Sequence, residues 1–248
     1  MNDNISGHDS RATPDGHLIV ASRYAEGFAE DMFEPRYWEN ANAVTGTAGG
    51  RGMVLFVDSG HEQWVLRHYR RGGLMTPVMD DRYFWSGLQN TRAVREFRLL
   101  HDLHERGLPV PRPVAARVCR DGLFYRADLL TVRIADARSL ADIASESMPD
   151  DATWRAIGRC IRRFHDIGVF HADLNAHNIL LDQQGQVYLV DFDRGRIRYG
   201  TRWKQANLRR LNRSLHKIGL SLGSPEFEKQ QWPALLDGYE PGGAAAKS

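Results

Sequence analysis

The chain has 248 residues, 42% of them hydrophobic and 26% charged, enough for one large domain or two small lobes and unlike a collagenous or low-complexity composition. Its formal net charge is only +2, and its two cysteines, Cys119 and Cys160, form no CxxC or Cys/His cluster, which excludes a disulfide framework or a zinc site and fits a reducing cytoplasm. No apolar run approaches the ~20 residues of a membrane helix, and MNDNISGHDSRATPDG lacks the basic patch and apolar stretch of a signal peptide.

Along the chain, residues 1–16 and the tail GGAAAKS are polar and predict disorder; 1–27 is expected to be a partly disordered extension and 241–248 a disordered tail. Residues 41–70 read as three strands: one entering the glycine cluster GTAGGRG, then MVLFV, then WVLRHYR, whose alternation suits a half-buried strand. RGGLMTPVMDDRYFWSGLQN is irregular. TRAVREFRLLHDLHERG predicts a helix with Val94, Phe97, Leu100 and Leu103 on one stripe and Gly107 as its stop. Two strands follow, in PVAARV and LFYRADLLTV, turned by RDG. From about residue 139 the pattern becomes helical. SLADIASE is short; DDATWRAIGRCIRRFHDIG is strong, with Trp154, Ile157, Ile161 and Phe164 on one face. TRWKQANLRRLNRSLHKIGL is a basic amphipathic helix with Trp203, Leu208, Leu211, Leu215 and Ile218 as its apolar side. The expected class is α+β, bilobal, with a small β-rich lobe over 28–132 and a mainly helical lobe over 133–240.

The stretch HADLNAHNILLDQQGQVYLVDFD, residues 171–193, carries the chemistry. Asp173 is followed five positions on by Asn178, and a strand pair, NILL and VYLV, leads to Asp191. An acid on such a loop can take a proton from a substrate hydroxyl. An amide and a second acid brought together by a hairpin can hold Mg²⁺, which takes oxygen ligands and is usually bound by few protein groups plus substrate phosphates. Turns also favour Asp and Asn for their local hydrogen bonds, so each residue alone says little; the combination and its order carry the weight.

HADLNAHN matches the HxDxxxxN catalytic loop, and DFD stands where DFG does, so the chain resembles the protein-kinase fold. The resemblance implies ATP and Mg²⁺ as cofactors, Asp173 as catalytic base or hydroxyl-orienting group, Asn178 and Asp191 as metal ligands, and His171 as support for the loop. It makes Gly46, Gly49, Gly50 and Gly52 a phosphate-covering loop. The third-strand lysine of that fold is impossible here, because the four lysines are Lys204, Lys217, Lys229 and Lys247. Arg67 stands at the matching place, with Glu96, on the face of Leu100 and Leu103, as its partner; the alternative for Glu96 is a surface pair with Arg92. Asp193 replaces the glycine of DFG and either adds a metal or substrate contact or bonds the turn. Asn175 stands where protein kinases carry a lysine. The segment DFDRGRIRYGTRW leaves no room for a peptide-docking platform. Both departures favour a small-molecule or sugar kinase.

FEPRYW (33–38), GRG (50–52), WVLRHYRRGGL (64–74), REFRLL (95–100), FHDIGVFHADLNAHNILLD (164–182), LVDFDRGRIR (189–198) and WKQANLRRLNRSL (203–215) together resemble the 3-deoxy-D-manno-octulosonic acid (Kdo) kinase family over roughly residues 28–220. That resemblance implies ATP-dependent phosphorylation of the 4-hydroxyl of a Kdo sugar on a lipid A precursor, at the cytoplasmic face of the Gram-negative inner membrane, as a peripheral protein. It implies an anionic glycolipid and the membrane surface as partners, with no nucleic acid and no obligate protein partner. Arg194, Arg196, Arg198 and Arg202, then Arg209, Arg210, Arg213 and Lys217, would meet such a substrate or lipid; a solvated basic face is the plainer meaning of the same charges. A heptose or other small-molecule kinase, and a nucleotide-binding pseudokinase, are the other readings.

Overall fold

The computed structural model describes residues 7–48, 54–70, 81–224 and 227–240. The chain divides into two compact units, Met1–Asp102 with Pro111–Arg133, and Leu103–Val110 with Ile134–Ser248.

Among its described residues the first unit is built on an eight-stranded antiparallel sheet. Its strands are β1 (His8–Thr13), β2 (Gly16–Ala21), β3 (Val44–Ala48), β4 (Val54–Asp58), β5 (Gln63–His68), β6 (Tyr83–Phe84), β7 (Pro113–Asp121) and β8 (Phe124–Val132). The order is β1-β2-β7-β8-β5-β4-β3, with β6 also paired to β8. Disorder, expected through residue 16, therefore fails from His8 onward. HDSRAT and GHLIVA form a hairpin whose second strand is paired along β7 from Gly16↔Cys119 to Val20↔Ala115. The polar letters of β1 mislead because it is an edge strand with little to bury, whereas Leu18, Ile19 and Val20 of β2 are at most 1% exposed.

Alternation along β5 sets the two faces of the sheet. Trp64 and Leu66 join a core with Phe28, with Phe33 of a 3₁₀ turn (Glu30–Phe33) and with Trp38 of helix α1 (Pro35–Asn40), which opens on Pro35. Arg67 points the other way, toward helix α2 (Arg92–Glu105), whose Val94, Phe97, Leu100 and Leu103 are buried as the stripe predicts.

The second unit holds β9 (Arg138–Ser139), α3 (Leu140–Glu146), α4 (Asp151–Asp166), β10 (Val169–Phe170), β11 (Ile179–Leu181), β12 (Val187–Leu189), β13 (Arg196–Ile197), α5 (Arg202–Ser221) and α6 (Phe227–Tyr239). Residues 103–110 are tied into it: the Arg163 guanidinium donates to the Gly107 carbonyl at 2.8 Å, and Leu189 N–H to that of Pro109 at 3.0 Å. Asp150 caps α4 by accepting from Thr153 N–H, and Trp154, Ile157, Ile161 and Phe164 are at most 1% exposed. The strand pair is β11–β12, in register Ile179↔Leu189, and β9 extends it. On α5, Trp203, Leu208, Leu211 and Leu215 are buried as expected, but Ile218 is only half-buried and lines a surface cavity.

Candidate active site

In the second unit, residues 171–178 form a loop whose polar side chains largely serve its own backbone. His171 is 2% exposed. Its Nδ1 accepts from Asp173 N–H at 3.2 Å, so the proton sits on Nε2, which donates to the Val190 carbonyl at 2.9 Å. Burial lowers its pKa and keeps the ring neutral, as those two bonds require. One imidazole thus joins the backbone of Asp173 to the residue before Asp191. Phe192 packs against it with ring centroids 4.7 Å apart.

Asn175 caps the turn Ala176–Asn178: its Oδ1 accepts from His177 and Asn178 N–H, and its Nδ2 donates to the Asp173 carbonyl at 3.1 Å. The position where protein kinases carry a lysine is thus spent on loop shape. Asn178 Nδ2 donates to the same carbonyl at 2.9 Å, a bond that does not use its Oδ1. Asp191 follows β12 with φ +61°, in the left-handed region that a non-glycine residue enters only at some cost. Asp193 has no positive φ among the described residues; the left-handed step falls instead on Arg194, at +59°. Nothing in the backbone therefore demands a glycine at 193.

Helix α5 clamps this loop with three residues of one face, at i, i+3 and i+7. Asn207, 2% exposed, accepts from His171 N–H at 3.2 Å and donates to His171 O at 2.8 Å. Arg210 places Nε 2.8 Å from Asp173 Oδ1, and its Nη2 donates to the same oxygen. Ser214 Oγ accepts from Ala176 N–H at 3.2 Å. Sequence reasoning singled out neither Asn207 nor Ser214 and treated Arg210 only as part of a charge run. The available signal was that polar residues recur at helical spacing beside the apolar stripe. Asp173 and Arg210 border a cavity of about 490 Å³ in this unit.

Arg196 and Arg198 lie elsewhere. β13 pairs with β10, and both guanidiniums sit over the Phe170 ring, at 5.5 and 4.8 Å from its centroid. Arg194 is exposed. None of the three lines the cavity beside Asp173.

In the first unit, Arg67 pairs with Glu96, which is 3% exposed. Tyr69 donates to the same Glu96 oxygen at 2.6 Å and accepts from Arg67 Nη2 at 3.0 Å. Burial raises the Tyr69 pKa well above the ordinary phenol value, so the hydroxyl stays a donor. Gly46 does not lie in a connecting loop: it is inside β3, paired with Phe56 at a register shift, and a Cβ there would meet the Phe56 ring at 3.3 Å. Gly49, Gly50 and Gly52 fall outside the described residues.

The profile of the lipopolysaccharide kinase (Kdo/WaaP) family matches residues 35–239. A 3-deoxy-D-manno-octulosonic acid kinase of Vibrio cholerae is 48% identical over 183 residues, 74% of this chain and 78% of that protein. Another, from Stenotrophomonas maltophilia, is 49% identical over 192 residues, 76% of this chain and 75% of that protein. Among solved structures, WaaP in complex with acyl carrier protein superimposes with a TM-score of 0.52 at 20% identity, covering 83% of this chain and 86% of that one, a likeness of fold. With the HxDxxxxN loop, the Asp191 hairpin and the Arg67–Glu96 pair in place, the chain belongs to the lipopolysaccharide kinase (Kdo/WaaP) family and is a phosphotransferase of protein-kinase-like fold.

Proposed function

We propose that this kinase transfers a phosphoryl group from MgATP to the 4-hydroxyl of a Kdo sugar on a lipid A precursor, working as a peripheral protein at the cytoplasmic face of the inner membrane. The observation that carries the reading is the Asp173 carboxylate, held on a loop braced by His171, Asn175, Asn178 and Asn207 and open on one side to a cationic cavity. The close relatives named for this activity support the choice of sugar.

The donor set fits a magnesium–nucleotide complex. Asn178 Oδ1 and the Asp191 carboxylate are hard oxygen ligands, and Mg²⁺ characteristically takes one or two protein groups beside phosphates. Bound there, the ion supplies positive charge that offsets the nucleotide's phosphates. In the first unit Arg67 offers its planar guanidinium to phosphate oxygens, and Glu96 and Tyr69 fix its direction. Asp173 orients the acceptor hydroxyl and takes its proton at a carboxylate oxygen as the phosphoryl group is transferred in line. Arg210, already on that carboxylate, holds its rotamer. No helix among the described residues is long and apolar enough to cross a membrane, and exposed Arg209, Arg213 and Lys217 on α5 supply the charge that an anionic membrane surface attracts.

The test is ATP consumption by the purified protein with Mg²⁺, with and without a Kdo-bearing lipid A precursor, with the product weighed by mass spectrometry. One phosphate added to the Kdo sugar is expected. Asp173→Asn is expected to fold and to lose at least ~10²-fold in rate. Turnover of ATP that leaves Kdo unmodified would discard the substrate, and near-normal turnover by Asp173→Asn would discard the base.

A further inference from the structure

The cavity beside Asp173 has a wall made from one face of α5. Arg210, Arg213, Ser214, Lys217 and Ile218 line it at i, i+3, i+4, i+7 and i+8, the spacing that stacks side chains on one side of a helix. Its volume of about 490 Å³ lies within the ~300–1,000 Å³ of small-molecule sites. Three fixed cations face one carboxylate there, and that carboxylate is already paired with Arg210. The remaining charge suits an anionic ligand.

The function proposed above, on which this inference rests, brings a sugar hydroxyl to Asp173. That sugar is an acid, so its carboxylate must lie one sugar's width from Asp173. Helix rise puts Arg213 about 4.5 Å along the axis from Arg210, and Lys217 about 10.5 Å. Arg213 stands within a sugar's width of the Asp173–Arg210 pair; Lys217 is a further turn out. Arg210 spends two of its five N–H donors on Asp173, and the rest of its fork can serve a second anion beside the first.

We propose that this face of α5 is the subsite for the acceptor's sugar carboxylate, gripped by Arg213 and bridged to Asp173 through Arg210. The subsite selects an acid sugar over a neutral one and sets the reacting hydroxyl against Asp173. It also gives a reason for the missing catalytic-loop lysine: the cation beside the catalytic acid comes from α5 instead.

The experiment compares two acceptors, the Kdo-bearing lipid A precursor and the same molecule with the sugar carboxylate converted to a carboxamide. In the wild-type enzyme kcat/KM for the acid should exceed that for the amide at least ~10-fold, the worth of a charge-assisted contact. Arg213→Gln should lose at least ~10-fold on the acid, through acceptor KM more than kcat, and little on the amide. Arg213→Lys, with the charge but not the fork, should fall between. Arg213 is exposed, so its replacement leaves the core intact. Equal losses on both acceptors, or no loss on either, overturn the subsite. A wild-type enzyme that phosphorylates no Kdo-bearing acceptor overturns the function, and the subsite with it, before any variant is compared.

Discussion

Arg67 faces Glu96 because it sits one step out of phase with Trp64 and Leu66 on β5, and Glu96 shares a helix face with Leu100. Those two periods are visible in the letters, so the pair could be anticipated although 29 residues separate its members. A glutamate this deeply buried depends on charged and hydrogen-bonding partners, Arg67 and Tyr69 among them. Arg67→Ala, which removes one of those partners, should lower unfolding stability by about 3 kcal/mol, the low end for breaking a buried ion pair, and Glu96→Gln by clearly less. Urea unfolding of the two variants measures this; equal, small losses would show that the charge is not stranded. The partners of Asp173 were less legible. Arg210 and Asn207 lie 36–37 positions beyond the loop residues they hold, and no local pattern links a helix to a loop across that distance.

At the scale of elements, strongly periodic segments emerged as expected, α2, α4 and α5 among them. The elements that escaped are those whose stabilisation is not local. α6 carries Pro233 in its interior, which removes an N–H and breaks the usual signature, yet it forms because it packs closely on α4. The contact depends on two glycines. A Cβ on Gly158 would stand 2.1 Å from the Leu235 carbonyl oxygen, and one on Gly238 2.1 Å from that of Arg155. These neighbours are backbone atoms and cannot swing aside. Gly158→Ala, although it favours the α4 helix itself, should cost at least ~1–3 kcal/mol by pushing α6 away, seen as a lower melting temperature. A melting temperature at or above wild type would show that the helices separate without cost.

For the whole molecule, two histidines set opposite pH responses in the two units. His165, 2% exposed, is held by burial at a pKa of about 4 against an ordinary 6.5. Its depressed value means that the stability it permits is present above pH 6.5 and is lost as pH falls toward 4, by about 3 kcal/mol in all. His68 is raised above 6.5, first by its hydrogen bond to Asp128, against the cost of burial, with Asp81 adding to the rise and Arg117 and Arg126 paired to those acids. Its stabilisation is present below pH 6.5 and is lost as pH rises through the shifted value. Amide hydrogen exchange should show α4 loosening on acidification and β5 loosening on alkalinisation, with the β5 trend gone in His68→Gln. The same direction of change in both units would refute the assignment.

The hairpin β1–β2 bears on how the protein can be handled. The match to the family profile begins at residue 35, past both strands. A fragment trimmed to that span would strip β2 from β7 and bare the backbone donors and acceptors of Ala115–Cys119, in a strand that is largely apolar. Such a bared edge is a template for pairing with another copy. Solubility and monodispersity, as distinct from phosphoryl transfer, would then hinge on fourteen residues ahead of the matched span, from His8 to Ala21.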